Sequence, residues 1–236
     1  SIAEGTVTEP VKITQRNLTD YLGPRRYEDD QLMRESRPGV VMGLAWTPLG
    51  GSKLYVETLA VPGPAGFKQT GKLGEILKES TQIAYTLAEA NAAEYGIEAK
   101  FFRKHTIHVH VPAGSTPKDG PSAGITVATS LISLALHRAV PPHWAMTGEL
   151  TLTGRVLAVG GIKEKMIAAK RAEVRDLILP KANFKDMAEI PDYVKDGLNI
   201  HYVQDFSEVF DLMFPGQRRA VSRTRAEGDN DDTSAK

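Results

Sequence analysis

The chain of 236 residues contains no cysteine. Disulfides and thiol chemistry are therefore excluded, which fits a reducing compartment. It also lacks any apolar run near the roughly 18 residues that a membrane-spanning helix needs. Net charge is missing too, because 29 basic residues balance 29 acidic ones. No global field then favours nucleic acid or an anionic membrane, and neither is expected as a partner. The opening SIAEGTVTEP has the pattern of neither a signal nor a transit peptide. It starts on Ser rather than Met, which reads as a fragment or a processed chain. What remains is of ordinary density, 41% hydrophobic and 25% charged. That suits one globular domain with appendages.

Residues 1–38 are polar and punctuated by Pro and Gly, with a short helix expected near residues 17–22 and a linker after it. The segment from Gln217, QRRAVSRTRAEGDNDDTSAK, has one Val and many charges, so residues 216–236 are expected to form a disordered tail. No internal repeat is present. Between them, residues 39–215 read as the core domain. VVMGLAWTPLGGSKLYVETLAV predicts two strands around a Gly-Gly turn. Leu73, Ile76, Leu77, Ser80, Ile83, Ala84 and Leu87 recur at helical spacing, with Gly96 as a stop. TIHVHVP alternates as a strand does, with Ile107, Val109 and Val111 on one face and Thr106, His108 and His110 on the other. A mostly buried helix is expected from Pro121 to about His137, with Pro at its favoured first position. LTLTGRVLAV predicts a hairpin, residues 162–172 a helix, DLILP a short buried strand, FKDMAEI a helix and LNIHYV a strand. DFSEVFDLMF predicts a last helix with Asp205 as cap and Glu208 three residues on. Strands and helices mix throughout, so the fold class is α/β or α+β with a mixed sheet.

The chemistry centres on TPKDGPSAG, residues 116–124. Gly120-Pro121-Ser122-Ala123-Gly124 fits G-x-S-x-G, the nucleophile elbow of α/β-hydrolases. That elbow needs a buried strand running into the serine, whereas Pro117, Asp119, Gly120 and Pro121 are loop residues. The plainer alternative is that Ser122 and Asp119 cap a helix. In favour of a site, a serine in a helix's first turn sits among unpaired N–H groups that, with the helix dipole, stabilise an oxyanion. A nucleophilic serine still needs a base.

Six histidines are available, His105, His108, His110, His137, His143 and His201, and none carries a local triad signature. His108 and His110 share a face at a spacing that could suit zinc, but no third ligand accompanies them, and histidines hydrogen-bonded beside a loop are the simpler alternative. Lysine is the other option. It must be partly buried to be neutral, which lowers its pKa by up to roughly 3–5 units. In GGIKEKMIAAKRA, at about 100° per residue, Ile162, Met166 and Ala169 share a face. Lys165 falls beside them, while Lys163 and Lys170 point elsewhere. A solvated edge position for Lys165 stays open, because burying it uncompensated is costly. Residues 66–72, GFKQTGK, have the spacing of a P-loop, but Leu73 stands where Ser or Thr would hold magnesium, and the run is expected to be a loop leading into a helix. Trp46 and Trp144 could stack ligands, but such residues more often belong to a core or an interface.

At this point the chain resembles the proteolytic domain of the Lon ATP-dependent serine proteases. PKDGPSAG (117–124), MTGELTLTG (146–154) and GGIKEK (160–165) match that family's motifs in order and spacing. So do GLAWTPLGG (43–51), TGKLGEILKES (70–80) and IHVHVP (107–112). The likeness covers residues 38–215. It implies that Ser122 is the nucleophile and Lys165 the general base of a Ser–Lys dyad, with Thr147 orienting the amine. Asp119, His108, His110, Glu57 and Trp46 match positions around the family's active site that shape or switch it. Ala113 and Ser115 depart from the Glu and Ala of many relatives, which bears on loop contacts and leaves the dyad untouched. The resemblance further implies unfolded proteins or peptides as substrates, a homo-hexameric ring, and no cofactor in this chain. ATP and magnesium belong to the ATPase module of a full-length relative, and no intact Walker motif is present here. The location implied is the bacterial cytoplasm, with the mitochondrial matrix as the alternative. The competing expectations are a Ser–His–acid esterase and a non-catalytic assembly module.

Overall fold

The structure is a computed structural model that describes residues 12–23, 36–47, 50–112 and 117–218. The chain divides into two units, residues 1–35 and 36–236. Within the first, α1 (Leu18–Leu22) follows a turn organised by Asn17. The Asn17 Oδ1 accepts from the Thr14 N–H at 2.7 Å, and its Nδ2 donates to the Lys12 carbonyl at 3.1 Å. Residues 1–11, 24–35, 48–49, 113–116 and 219–236 lie outside the described residues, and with them Ala113, Ser115 and most of the segments expected as linker and disordered tail.

The second unit holds a seven-stranded mixed sheet. Its strands are β1 (Val40–Thr47), β2 (Gly50–Pro62), β3 (Gly66–Thr70), β4 (His105–His110), β5 (Trp144–Met146), β8 (Asp176–Pro180) and β9 (Asn199–Val203), in the order β3-β4-β2-β1-β5-β8-β9. A separate two-stranded ribbon joins β6 (Glu149–Leu150) to β7 (Val156–Leu157). β1 and β2 pair antiparallel, as the hairpin pattern predicts, and β2 pairs antiparallel with β4. From β1 onward the pairing with β5, β8 and β9 is parallel.

Alternation along the strands sends side chains to two cores. Val41, Val56, Ile107, Val109, Met146 and Ile178 face one, which α2 (Glu75–Ala90), α3 (Gly124–Ala135) and α6 (Phe206–Met213) cover. Leu44, Ala145, Leu177 and Leu179 face the other, covered by α4 (Ile162–Arg171) and α5 (Asp192–Lys195). Fully buried Leu131, Ile132, Val127 and Ile125 make α3 the central helix, so every step of its sequence is apolar or small. Each buried aliphatic side chain of this kind stabilises the fold by about 1.5–3 kcal/mol relative to exposure. α6 starts at the expected capping box, in which the Asp205 side chain takes the N–H three residues on and Glu208 reaches back.

Two expectations fail. Residues 66–70 are not a loop but β3, an edge strand parallel to β4. Backbone pairing with β4 overrides a local sequence that carries little apolar pattern. FKDMAEI is not an α-helix; it belongs to a 3₁₀ segment (Lys181–Glu189) in which Asn183 is the buried residue.

Candidate active site

The site is assembled where the parallel strands end. β5 stops at Met146, and the next residue, Thr147, is fully buried, its N–H donating to the Ile178 carbonyl of β8 at 3.2 Å. The crevice beyond the carboxyl ends of parallel strands is where such folds present reactive groups.

Ser122 lies in a single 3₁₀ turn (Pro121–Ala123) that runs into α3. The turn is sewn to the Thr147–Gly148 segment by backbone bonds. The Gly148 N–H donates to the Ser122 carbonyl at 2.9 Å, and the Ile125 N–H donates to the Gly148 carbonyl at 3.2 Å. The Thr147 hydroxyl donates to the same Ser122 carbonyl at 3.2 Å. The serine is half-buried, and among the described residues no hydrogen bond engages its Oγ.

Lys165 reaches the same point from the opposite side. Of the lysines on α4, Lys163 and Lys170 are exposed and Lys165 is 2% exposed, between Met166 and Ala169 in the second core. Its Nζ donates to Thr147 Oγ1 at 2.9 Å. Burial pulls the amine from its ordinary 10.5 down to about 8, because its charged form loses hydration there. The threonine hydroxyl hydrogen is committed to the Ser122 carbonyl, so Thr147 Oγ1 can only accept from the amine. A neutral amine therefore keeps its lone pair free.

Asp119 caps a helix, though not the one it precedes. Its Oδ1 accepts the Leu77 N–H of α2 at 2.9 Å and the Gly120 N–H at 2.9 Å. Gly74, at the N-cap of α2, makes room: a Cβ there would lie 2.3 Å from Asp119 Cγ. Ser80 Oγ donates to the Pro121 carbonyl at 3.2 Å, so α2 holds the loop entering Ser122 at two places. Trp46 is 55% exposed and lies over Gly161, which opens α4 in the left-handed region at φ +69°. A Cβ at Gly161 would stand 2.6 Å from the indole Cγ, so both space and backbone conformation require glycine there.

The remaining expected residues do not join this cluster. His108 Nε2 and His110 Nδ1 both bond Thr70 Oγ1, at 2.9 and 2.7 Å, on the sheet face away from the first core. Glu57 pairs in register with His110 on that face. His201 does pair with a carboxylate, Asp176, at 2.9 Å, and stacks on Trp144. Among the described residues no histidine hydrogen-bonds to Ser122. Sequence reasoning gave no site role to Ser80 and Gly74, though both lie in the 70–80 motif, and did not single out Asn183; no local pattern marks a residue whose partner is distant in the chain.

Residues 12–216 match the family described as the Lon protease (S16) C-terminal proteolytic domain. The chain belongs to that family. Lon protease homolog 1, mitochondrial, of Arabidopsis thaliana is 49% identical over 214 residues, which cover 89% of this chain and 23% of the relative. The Lon protease of Chlamydia trachomatis is 49% identical over 207 residues, 86% of this chain and 25% of the relative. The mitochondrial Lon protease homolog of Saccharomyces cerevisiae is 49% identical over 210 residues, 86% of this chain and 18% of the relative. The chain thus spans about a quarter or less of the length of these curated relatives. In this Lon-type proteolytic domain, Thr147 is the meeting point: its N–H donates to β8, its Oγ1 accepts from Lys165 of α4, and its hydroxyl donates to the Ser122 carbonyl in the turn before α3.

Proposed function

We propose that the domain is a serine endopeptidase working through a Ser122–Lys165 dyad. Ser122 Oγ attacks the scissile carbonyl carbon while the Lys165 amine takes the hydroxyl proton. The tetrahedral oxyanion is met by N–H groups at the turn opening α3. Collapse breaks the C–N bond, and the Lys165 ammonium returns its proton to the leaving amine. Water then attacks the acyl-enzyme ester, with Lys165 again the base, releasing the acid and restoring Ser122.

The observation that carries this is the Lys165–Thr147–Ser122 relay: a buried amine with a depressed pKa, held by a hydroxyl that is itself bonded to the serine's own carbonyl. Trp46 and Asp119 act by shaping the ends of the cleft, and His108, His110 and Glu57 by ordering the neighbouring sheet. Alone, the domain hydrolyses short or unfolded peptides slowly and without ATP. Within a longer chain it degrades unfolded or damaged proteins delivered by an ATPase module, as a homo-hexamer. The first five residues of the run 66–72 form strand β3; ATP and magnesium are assigned to the ATPase module of a longer chain. Relatives carry mitochondrial names or come from bacteria, so the compartment proposed is the bacterial cytoplasm or the mitochondrial matrix.

Hydrolysis of a fluorogenic peptide by wild type, Ser122→Ala and Lys165→Ala, at matched oligomeric state, tests it. Both variants lose about a thousandfold or more in kcat. Wild-type rates in either one refute the dyad.

A further inference from the structure

α4 sets where the Lys165 amine stands, so whatever fixes the start of α4 fixes the base. One side is closed by the β1–β2 hairpin. Trp46 covers Gly161, and a Cβ on Gly51 would lie 2.0 Å from the Glu164 carbonyl oxygen. The Arg171 guanidinium adds a bond from the far end of α4 to the Gly51 carbonyl at 2.5 Å. The other side is the segment that leads into the helix from β7. There a single side chain takes both polar groups of one residue's backbone. Asn183 Oδ1 accepts the Val159 N–H at 3.0 Å, and its Nδ2 donates to the Val159 carbonyl at 2.9 Å. Nδ2 also donates to Asp186 Oδ2 at 2.6 Å. Asn183 is 3% exposed, so its amide has exchanged water for these partners.

We propose that Asn183 is a positioning residue for the Lys165 amine, an inference that rests on Lys165 being the base. Val159 lies two residues before Gly161, whose carbonyl accepts the Lys165 N–H at 2.9 Å. The amide acts as a neighbouring strand would, holding one peptide unit by a donor and an acceptor at once. Only Asn has both at that length. Asp would keep the bond from the Val159 N–H but turn a carboxylate toward the Val159 carbonyl and the Asp186 carboxylate. The 3₁₀ segment follows β8 directly, so this clamp ties the α4 start to the same strand whose Ile178 carbonyl receives the Thr147 N–H. Base and threonine are thus referenced to one strand inside the sheet, as precise positioning demands.

The test compares wild type, Asn183→Ala, Asn183→Asp and Lys165→Ala in peptide hydrolysis across pH 6–10, with urea midpoints for each. With the amine displaced and rehydrated, Asn183→Ala lowers kcat about tenfold to a hundredfold while KM stays within about twofold, and its pH–rate inflection moves upward. If Asn183→Ala does not fold, Asn183→Asp, which keeps volume and the acceptor, decides by the same readouts. A lower urea midpoint with kcat and inflection unchanged overturns the positioning role and leaves the dyad standing, provided Lys165→Ala is inactive. An active Lys165→Ala overturns the base itself, and the positioning role with it.

Discussion

Replacing Lys165 with Met should make the domain more stable and pH should control by how much. The wild-type amine sits at about 8 instead of 10.5, so at neutral pH the fold holds a protonated group against its preference. At about 1.4 kcal/mol per pH unit that difference costs about 3 kcal/mol. Met fills much the same space with no charge, but forfeits the bond to Thr147, a loss of about 1 kcal/mol. Lys165→Met is then about 2 kcal/mol more stable than wild type at pH 7. Between about 8 and 10.5 the unfolded wild-type chain binds the proton that the folded one has released, so wild-type stability rises with pH relative to the variant. At pH 9.5 the electrostatic cost has fallen to about 1.5 kcal/mol, and the two proteins should differ by less than about 1 kcal/mol. Urea denaturation of both at pH 7 and 9.5 reads this directly, since all other titrations are common to the pair. A gap that stays the same at the two pH values would mean that the amine titrates alike folded and unfolded, and the desolvation reasoning would be refuted.

Two other substitutions probe the threonine and the cap. Thr147→Val leaves the Lys165 amine buried without its acceptor and should lower kcat by about tenfold or more, a decade being about 1.4 kcal/mol of barrier, whereas Thr147→Ser restores most of the rate. Gly74→Ala drives Asp119 from the start of α2, and chemical denaturation should show a loss of about 1 kcal/mol together with slower turnover. In an Asp119→Ala background the same substitution should add little, because the cap is already gone.

Much of this was legible in the sequence. Helical phase alone set Lys165 beside Met166 and Ala169, and it is the buried lysine of α4. The S/T/D-x-x-E pattern marked Asp205 and Glu208, because a capping box is a contact within four residues. The two-residue alternation around His108 and His110 gave the strand and its two faces. What escaped depends on partners remote in the chain. β3 is a half-exposed edge strand whose identity comes from β4, and β5 is three residues long. Asp119 was expected to cap a helix beside it or to shape the active site, but the N–H that it caps belongs to α2, 42 positions away. Asn183 looks like any polar residue after a strand until the Val159 backbone is placed against it, 24 positions away.

The most direct measurement is the pH dependence of kcat/KM for a fluorogenic peptide with the wild-type domain. A buried lysine base is inactive while protonated, so the rate should climb with one proton's steepness, reach half its plateau near pH 8, and stay level above. A profile that is flat from pH 6 to 9, or one that turns at the roughly 6.5 of an ordinary histidine, contradicts a neutral Lys165 as the base.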